Sequence, residues 1–196
     1  MKQAILFAVC FTATCSIFAR TPVPAANYPI DSTRKPARTI HKNDIPSLDI
    51  MLTEIIQTTG LQTSFELQPA DVRNIEAIIS HKKRIIRYNP DFIEWINNAT
   101  RDKWSSLFLL AHEIGHHLNG HTMHKGGSKP ALELEADEYA GFVLNQLGAT
   151  LEEAQEVMFY IAGEKSSKTH PARLARMNAI REGWVRSSQE SVVGSH

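Results

Sequence analysis

Two histidines and a glutamate in the middle of the chain have the types and spacing of a metal-dependent hydrolytic site. Residues 112–116 read His-Glu-Ile-Gly-His, which is the pattern H-E-x-x-H. Residues four apart in a helix are one turn apart, so the imidazoles of His112 and His116 leave the same face and can bind one metal ion. Glu113 then lies beside the ion, where its carboxylate can accept a proton from an activated water molecule.

A second pair of residues can supply the third ligand that such a site needs. Catalytic zinc is held by three protein ligands and keeps a fourth position open. Glu133 and Asp137 are again four apart, so they share one helix face. We expect Glu133 to be the third ligand and Asp137 to accept the outward N–H of a ligating histidine. A solvated acidic face is the alternative, since Glu135 and Glu138 are neighbours in the sequence.

The apolar pattern predicts the elements that position these groups. A helix ending at Gly60 precedes three short β-prone runs, at residues 63–67, 75–79 and 84–88, and residues 80–83 between the last two form a plausible hairpin turn. The rest of the domain reads as helical, over residues 92–97, 102–119, 130–147, 151–162 and 171–182. The predicted fold class is therefore α+β, mostly helical, with a small antiparallel sheet preceding the H-E-x-x-H helix.

A third motif makes the pattern more specific. His170-Pro171, with Arg176 after it, follows H-E-x-x-H and Glu-x-x-Ala-Asp (residues 133–137) in that order. The three motifs together resemble the HtpX-like and CAAX-prenyl-protease family of gluzincin zinc metallopeptidases. Residues 85–89 resemble the substrate-binding edge strand of that family. The resemblance covers roughly residues 74–184, which is most of the predicted domain.

The resemblance implies a zincin-like fold and one Zn²⁺ ion per chain. Only 16 residues separate His116 from Glu133, which is shorter than in many members, and no transmembrane helices flank the predicted core. A compact member without membrane-embedded substrates is therefore implied. By the resemblance, the metal ligands are His112, His116 and Glu133, the general base is Glu113, Asp137 supports a ligand, and His170 and Arg176 are catalytic residues near the developing oxyanion.

The remaining histidines near the motif have a simpler interpretation. His117, His121 and His124 continue the cluster, and His117 and His121 are again four apart. We expect them to face solvent at the helix end and in the following loop. A second metal site is the alternative.

The N-terminal region predicts export. Residues 4–19 are uncharged and mostly apolar, which is typical of a signal peptide cleaved after Ala19 or as late as Ala25. A membrane anchor, a buried helix and a lipoprotein attached through Cys15 are the alternatives. Residues 20–43 read as a Pro-rich leader, residues 44–186 as the metallopeptidase domain and residues 187–196 as a flexible tail.

These features predict an exported, periplasmic or secreted, zinc endopeptidase. Its substrates would be extended or misfolded proteins lying against residues 84–88. With 21 basic and 21 acidic residues, the chain lacks the basic excess of a nucleic-acid-binding protein. After cleavage, no stable transmembrane span is expected. The alternative function is an exported binding or chaperone-like module with a structural zinc site, or a latent enzyme in which His170 closes over the metal.

Overall fold

The computed structural model describes residues 45–123 and 129–193, with side chains described up to residue 190. The predicted signal peptide, the leader and His124 lie outside the described residues. The described elements are α1 (Leu48–Thr59), β1 (Glu66–Pro69), β2 (Ile75–Ser80), β3 (Lys83–Tyr88), α2 (Pro90–Thr100), α3 (Trp104–Leu118), a 3₁₀ turn (His121–Met123), α4 (Pro130–Gln146), α5 (Leu151–Gln155), α6 (Met158–Ile161) and α7 (Arg173–Val193). The predicted α+β class is confirmed.

The sheet differs from the predicted antiparallel one. Its strand order is β1-β3-β2, with β1 parallel and β2 antiparallel to β3. The sheet is therefore mixed, and β3 is the central strand with a neighbour on each side. Among the described strands, β2 is the edge strand on the hairpin side and β3 is central, so the assignment of residues 85–89 as an edge strand is wrong.

The hairpin between β2 and β3 is confirmed. Ser80 pairs with Lys83, and the two residues between them, His81 and Lys82, have φ angles of 48° and 65°. Positive φ at both central residues gives a two-residue turn whose twist matches that of the strands it joins. This turn fixes the register that brings β2 alongside β3.

Helix α3 lies at the centre of the core. Its residues Leu107, Phe108, Leu110, Ala111 and Ile114 are completely buried. Helices α1, α2 and α4 and the sheet all contact α3. A helix that is apolar over most of its circumference must be surrounded in this way, and the H-E-x-x-H residues are consequently held on a rigid, buried element.

The helices near the C-terminus differ from the predicted ones in their bounds. The predicted helix over residues 151–162 is two helices, α5 and α6, because Phe159 and Tyr160 donate to carbonyls three residues back rather than four. Helix α7 continues to Val193, so residues 187–193 are helical where a flexible tail was predicted. Gly183, which was expected to follow the end of this helix, lies inside it.

Candidate metal centre

Helix α3 carries His112 and His116, and its N-terminus is anchored by Asp102. The backbone N–H groups of Trp104 and Ser105 donate to Asp102 Oδ1 at 2.9 and 3.2 Å. These bonds satisfy donors that have no partner within the helix. Two turns later His112 is 6% exposed and Glu113 7% exposed, and both line a cavity.

The predicted ligands come together in one group. One donor atom each from His112, His116 and Glu133 lies within 4.8 Å of the other two. The two imidazole Nε2 atoms are 3.1 Å apart, and each lies 3.5 Å from a carboxylate oxygen of Glu133. This buried group could hold a metal ion, and the solvated acidic face considered for Glu133 is not found, because Glu133 is 5% exposed.

The donor set matches a small tetrahedral ion. Ligands held at about 2.1 Å from a tetrahedral centre are separated by about 3.4 Å from one another. The two imidazole nitrogens are 3.1 Å apart, and each is 3.5 Å from a different oxygen of the Glu133 carboxylate, so each of these pairs lies close to that value. Two nitrogens and one carboxylate oxygen are also a donor combination found in catalytic zinc sites.

Asp137 lies directly behind the first histidine. Its Oδ1 is 2.9 Å from His112 Nδ1, on the opposite side of the ring from the metal-facing Nε2. Burial tends to lower the pKa of His112, but hydrogen bonds to Asp137 and Glu133 outweigh it and raise the pKa to about 9. Asp137 therefore lies beside the outward-facing nitrogen of His112.

Arg176 completes the buried network behind the ligands. Its Nε and Nη2 donate to the two carboxylate oxygens of Asp137 at 2.7 and 2.6 Å. The same Nη2 lies 3.9 Å from Glu133 Oε2. The guanidinium therefore neutralises the carboxylates from behind, whereas the resemblance implied a place near the oxyanion.

The other late-motif residue lies on the rim. The side chain of His170 is 55% exposed, and its Nε2 is 3.9 Å from Glu133 Oε2. His170 precedes α7, which begins at Arg173 rather than at Pro171. His170 borders the same cavity as the three ligands.

Glycines allow the helices that carry these groups to approach closely. A Cβ at Gly115 would lie 3.2 Å from both Ala136 and Tyr139, so α3 and α4 pack in contact beside the ligands. A Cβ at Gly141 would overlap the carbonyl of Ile180, and one at Gly183 would overlap that of Glu138. Helices α4 and α7 are therefore in backbone contact, which places Arg176 against Asp137.

Glu113 lies between the ligands and the free strand. Burial raises the pKa of its carboxyl to about 7, while His112 and a hydrogen bond from the Ala77 backbone act in the opposite direction. Ala77 belongs to β2, and residues 74–77 line the cavity. The Glu113 carboxylate thus faces both the metal ligands and the strand edge.

The cavity has a volume of about 480 Å³, and polar and apolar residues line different parts of it. The ligands and Glu113 form its floor, β2 forms one wall, and apolar side chains cover another part. Those apolar groups come from α3, α4 and α6, and they are Phe108, Leu109, Leu132 and Ile161. The cavity therefore lies between β2 and the group of His112, Glu113 and Glu133.

Two histidines predicted to face solvent are buried instead. His117 is 3% exposed, and its Nε2 donates to the Ile85 carbonyl at 3.1 Å. His121 is 8% exposed and contacts His116. His117 ties α3 to the central strand, and burial lowers its pKa, so the neutral ring is favoured. The four-residue spacing of His117 and His121 does not indicate that they contact different partners, the Ile85 carbonyl and His116.

Comparison with known proteins leaves the chain without an assigned family. No protein-family model matches it, and no curated protein and no solved structure were found to match. Among residues 45–123 and 129–193, no helix combines the length and the apolar character needed to cross a bilayer.

Proposed function

We propose that the chain is an exported zinc-dependent endopeptidase of the HtpX-like gluzincin type, acting on extended or misfolded proteins. The observation that carries the proposal is the placement of Glu113 beside three buried metal donors, in a cavity bordered by a free strand edge. A zinc ion held by His112, His116 and Glu133 would supply Lewis acidity and a more acidic water.

Glu113 is suited to move the proton. Its carboxylate would accept a proton from the attacking water and deliver it to the nitrogen of the leaving amine. Glu113 would thus carry one proton of the water to the nitrogen, and the second proton would follow when the new carboxylic acid ionises. The products would be a carboxylate and a protonated amine, and Glu113 would be ionised again. A pKa raised towards 7 by burial favours both steps of that transfer.

The substrate backbone would pair with β2. Asn89 N–H donates to the Asn74 carbonyl, so in the alternating antiparallel ladder the backbone groups of Ile75, Ala77 and Ile79 point away from β3. The outward N–H of Ala77 already donates to Glu113, and the remaining outward groups offer an extended peptide a partner without selecting its side chains. The central strand β3 has no free edge, so β2 replaces residues 84–88 as the proposed substrate platform.

Arg176 and His170 receive different roles. Because two nitrogens of the Arg176 guanidinium bind Asp137, we assign it to holding that carboxylate ionised and aligned. We assign His170, which lies on the exposed rim of the cavity, to contact with the substrate.

The decisive experiment separates metal binding from catalysis. Glu113→Gln should retain zinc, measured by elemental analysis, and lose digestion of denatured casein. Glu152→Gln, an exposed glutamate on α5, is the matched control and should retain both. Proteolysis persisting in zinc-loaded Glu113→Gln would overturn the proposal.

A latent or structural zinc site is the second candidate, and the position of His170 favours it. Its Nε2, 3.9 Å from Glu133 Oε2, approaches the ligands from the cavity side. If His170 closes the site, His170→Ala should digest casein faster than the unaltered protein. If His170 contacts substrate, the same variant should digest casein more slowly.

A further inference from the structure

The two ligating histidines are supported in different ways. Behind His112 lies the carboxylate of Asp137, as described above. Behind His116 lies another imidazole: His116 Nδ1 is 2.9 Å from His121 Nδ1, and His121 Nε2 is 3.0 Å from Glu135 Oε2. The proposed mechanism uses neither His121 nor Glu135.

Metal binding fixes the direction of the hydrogen bonds that run from His116 through His121 to Glu135. A ligating nitrogen offers its lone pair to the metal, so His116 bound through Nε2 carries its proton on Nδ1. That N–H must donate to His121 Nδ1, which leaves the proton of neutral His121 on Nε2. The His121 N–H then donates to the Glu135 carboxylate.

His121 is held where it can act in this way. Its side chain is 4% exposed, whereas that of Glu135 is 56% exposed. The histidine belongs to the 3₁₀ turn after α3, and Glu135 lies on α4 two residues after the ligand Glu133. The hydrogen-bonded series therefore runs from the partly buried His116 to a carboxylate at the surface.

A direct role for His121 as a metal ligand does not fit the geometry. Its nearest contact to His116 is on the Nδ1 side, away from the Nε2 atom that faces His112 and Glu133. Among the described residues, the compact donor group contains His112, His116 and Glu133 only.

We propose that His121 and Glu135 are positioning residues that fix the tautomer and orientation of His116 for metal binding. The inference rests on the proposed function only in requiring that a metal binds. Mutating the hydrogen-bond partner of a ligating histidine typically weakens metal affinity 10–100-fold. His121 should therefore contribute on that scale, and Glu135, which is further away and hydrated, should contribute less.

Zinc affinity tests the inference without any measurement of proteolysis. His121→Phe keeps a ring of similar shape and removes both nitrogens; it should bind zinc roughly 10–100-fold more weakly in competition with a chromophoric chelator. His121→Asn places an amide oxygen near the Nδ1 position and should recover part of the loss. His81→Phe, a change at the exposed hairpin turn, is the matched control and should bind as the unaltered protein does.

Two spectroscopic readouts distinguish positioning from mere packing. In the zinc-loaded protein, the His116 Nδ1–H should give a slowly exchanging proton signal that His121→Phe loses. X-ray absorption of the cobalt-substituted protein should count two imidazole ligands in both proteins. Unchanged zinc affinity in folded His121→Phe overturns the inference. A count of three imidazole ligands in the unaltered protein and two in His121→Phe also overturns it, because His121 would then be a ligand itself.

Glu135→Gln keeps the test valid if His121→Phe does not fold. It changes only an exposed carboxylate, and it should weaken zinc binding by a few-fold while Glu152→Gln, at the exposed position on α5, does not. Equal affinities in these two variants, together with full affinity in His121→Asn and an unprotected His116 Nδ1–H, contradict the inference. A protein that shows these zinc effects but digests no casein supports the inference and contradicts the proposed function.

Discussion

The carboxylate of Asp137 is shared between His112 Nδ1, at 2.9 Å, and two nitrogens of Arg176, at 2.6 and 2.7 Å. The Asp137 side chain is completely buried, and that of Arg176 is 5% exposed. A buried carboxylate is stable only when its lone pairs are satisfied. Asp137, on α4, therefore connects the candidate ligand His112 on α3 to the C-terminal helix α7.

Replacing Asp137 should impair stability and metal binding together. Asp137→Asn leaves a buried guanidinium without its counter-charge, which should lower the free energy of unfolding by about 3 kcal/mol. It should also weaken zinc binding roughly 10-fold or more, because His112 loses its anchor. Urea unfolding and chelator competition measure the two effects.

Arg176→Met is the comparison variant for that prediction. It removes the charge and keeps the length of the apolar stem, so it should destabilise the fold while Asp137 still holds His112. A larger loss of zinc affinity in Arg176→Met than in Asp137→Asn would contradict the assigned roles.

The contact between α4 and α7 depends on two glycines. Gly141→Ala and Gly183→Ala each insert a methyl group where the facing backbone leaves no room, so each should cost about 1–3 kcal/mol of unfolding free energy. Each should also weaken zinc binding, because the shift moves Arg176 away from Asp137. Thermal unfolding of the zinc-free protein checks the first effect.

Gly163→Ala provides the control for these substitutions. A Cβ at Gly163 meets only the Lys165 carbonyl, at an ordinary contact distance of 3.6 Å, and its φ lies outside the left-handed region. An equal loss of stability in all three variants would show that close packing of α4 and α7 is not the cause.

The sequence predicts best those parts of the site that depend on local geometry. One helical turn separates His112 from His116, and one separates Glu133 from Asp137, so each pair is placed as soon as its helix is assigned. The fact that the two faces meet depends on close packing at Gly115, which a spacing pattern does not encode.

Non-local relationships account for what the sequence did not predict. The parallel pairing of β1 with β3 makes β3 central, and no short-range signal distinguishes that from an antiparallel meander. Gly183 is a helix terminator by local preference, yet its contact with α4 keeps it inside α7. His121 looks like a loop residue until the fold places it between His116 and Glu135.

Metal loading should release a proton from His112. The carboxylates around this ring raise its pKa to about 9 in the metal-free protein, so at pH 7.5 the ring is protonated. A ligating imidazole must be neutral, so zinc binding expels that proton, and affinity falls as pH falls below 9. Calorimetry at pH 7.5 in buffers of different ionisation enthalpy should give about one proton released per zinc.

The proton count has its own internal check. Release should diminish as the pH is raised above 9, because the free ring is then already neutral. Asp137→Asn should release less than the unaltered protein at pH 7.5, since the carboxylate that raises the pKa is gone. Release that is independent of pH between 7 and 10 would contradict the assignment.

The proposed pairing of substrate with β2 can be tested at its first residue. Ile75 lines the cavity, and its N–H points away from β3, so Ile75→Pro removes one outward donor without breaking the ladder. Because one backbone hydrogen bond contributes about 1 kcal/mol, KM for a denatured protein should rise about five-fold. Zinc affinity and kcat should change little, and Ile75→Val, which keeps the N–H, should behave as the unaltered protein. Equal KM values for the proline and valine variants would mean that the substrate backbone does not pair with this edge.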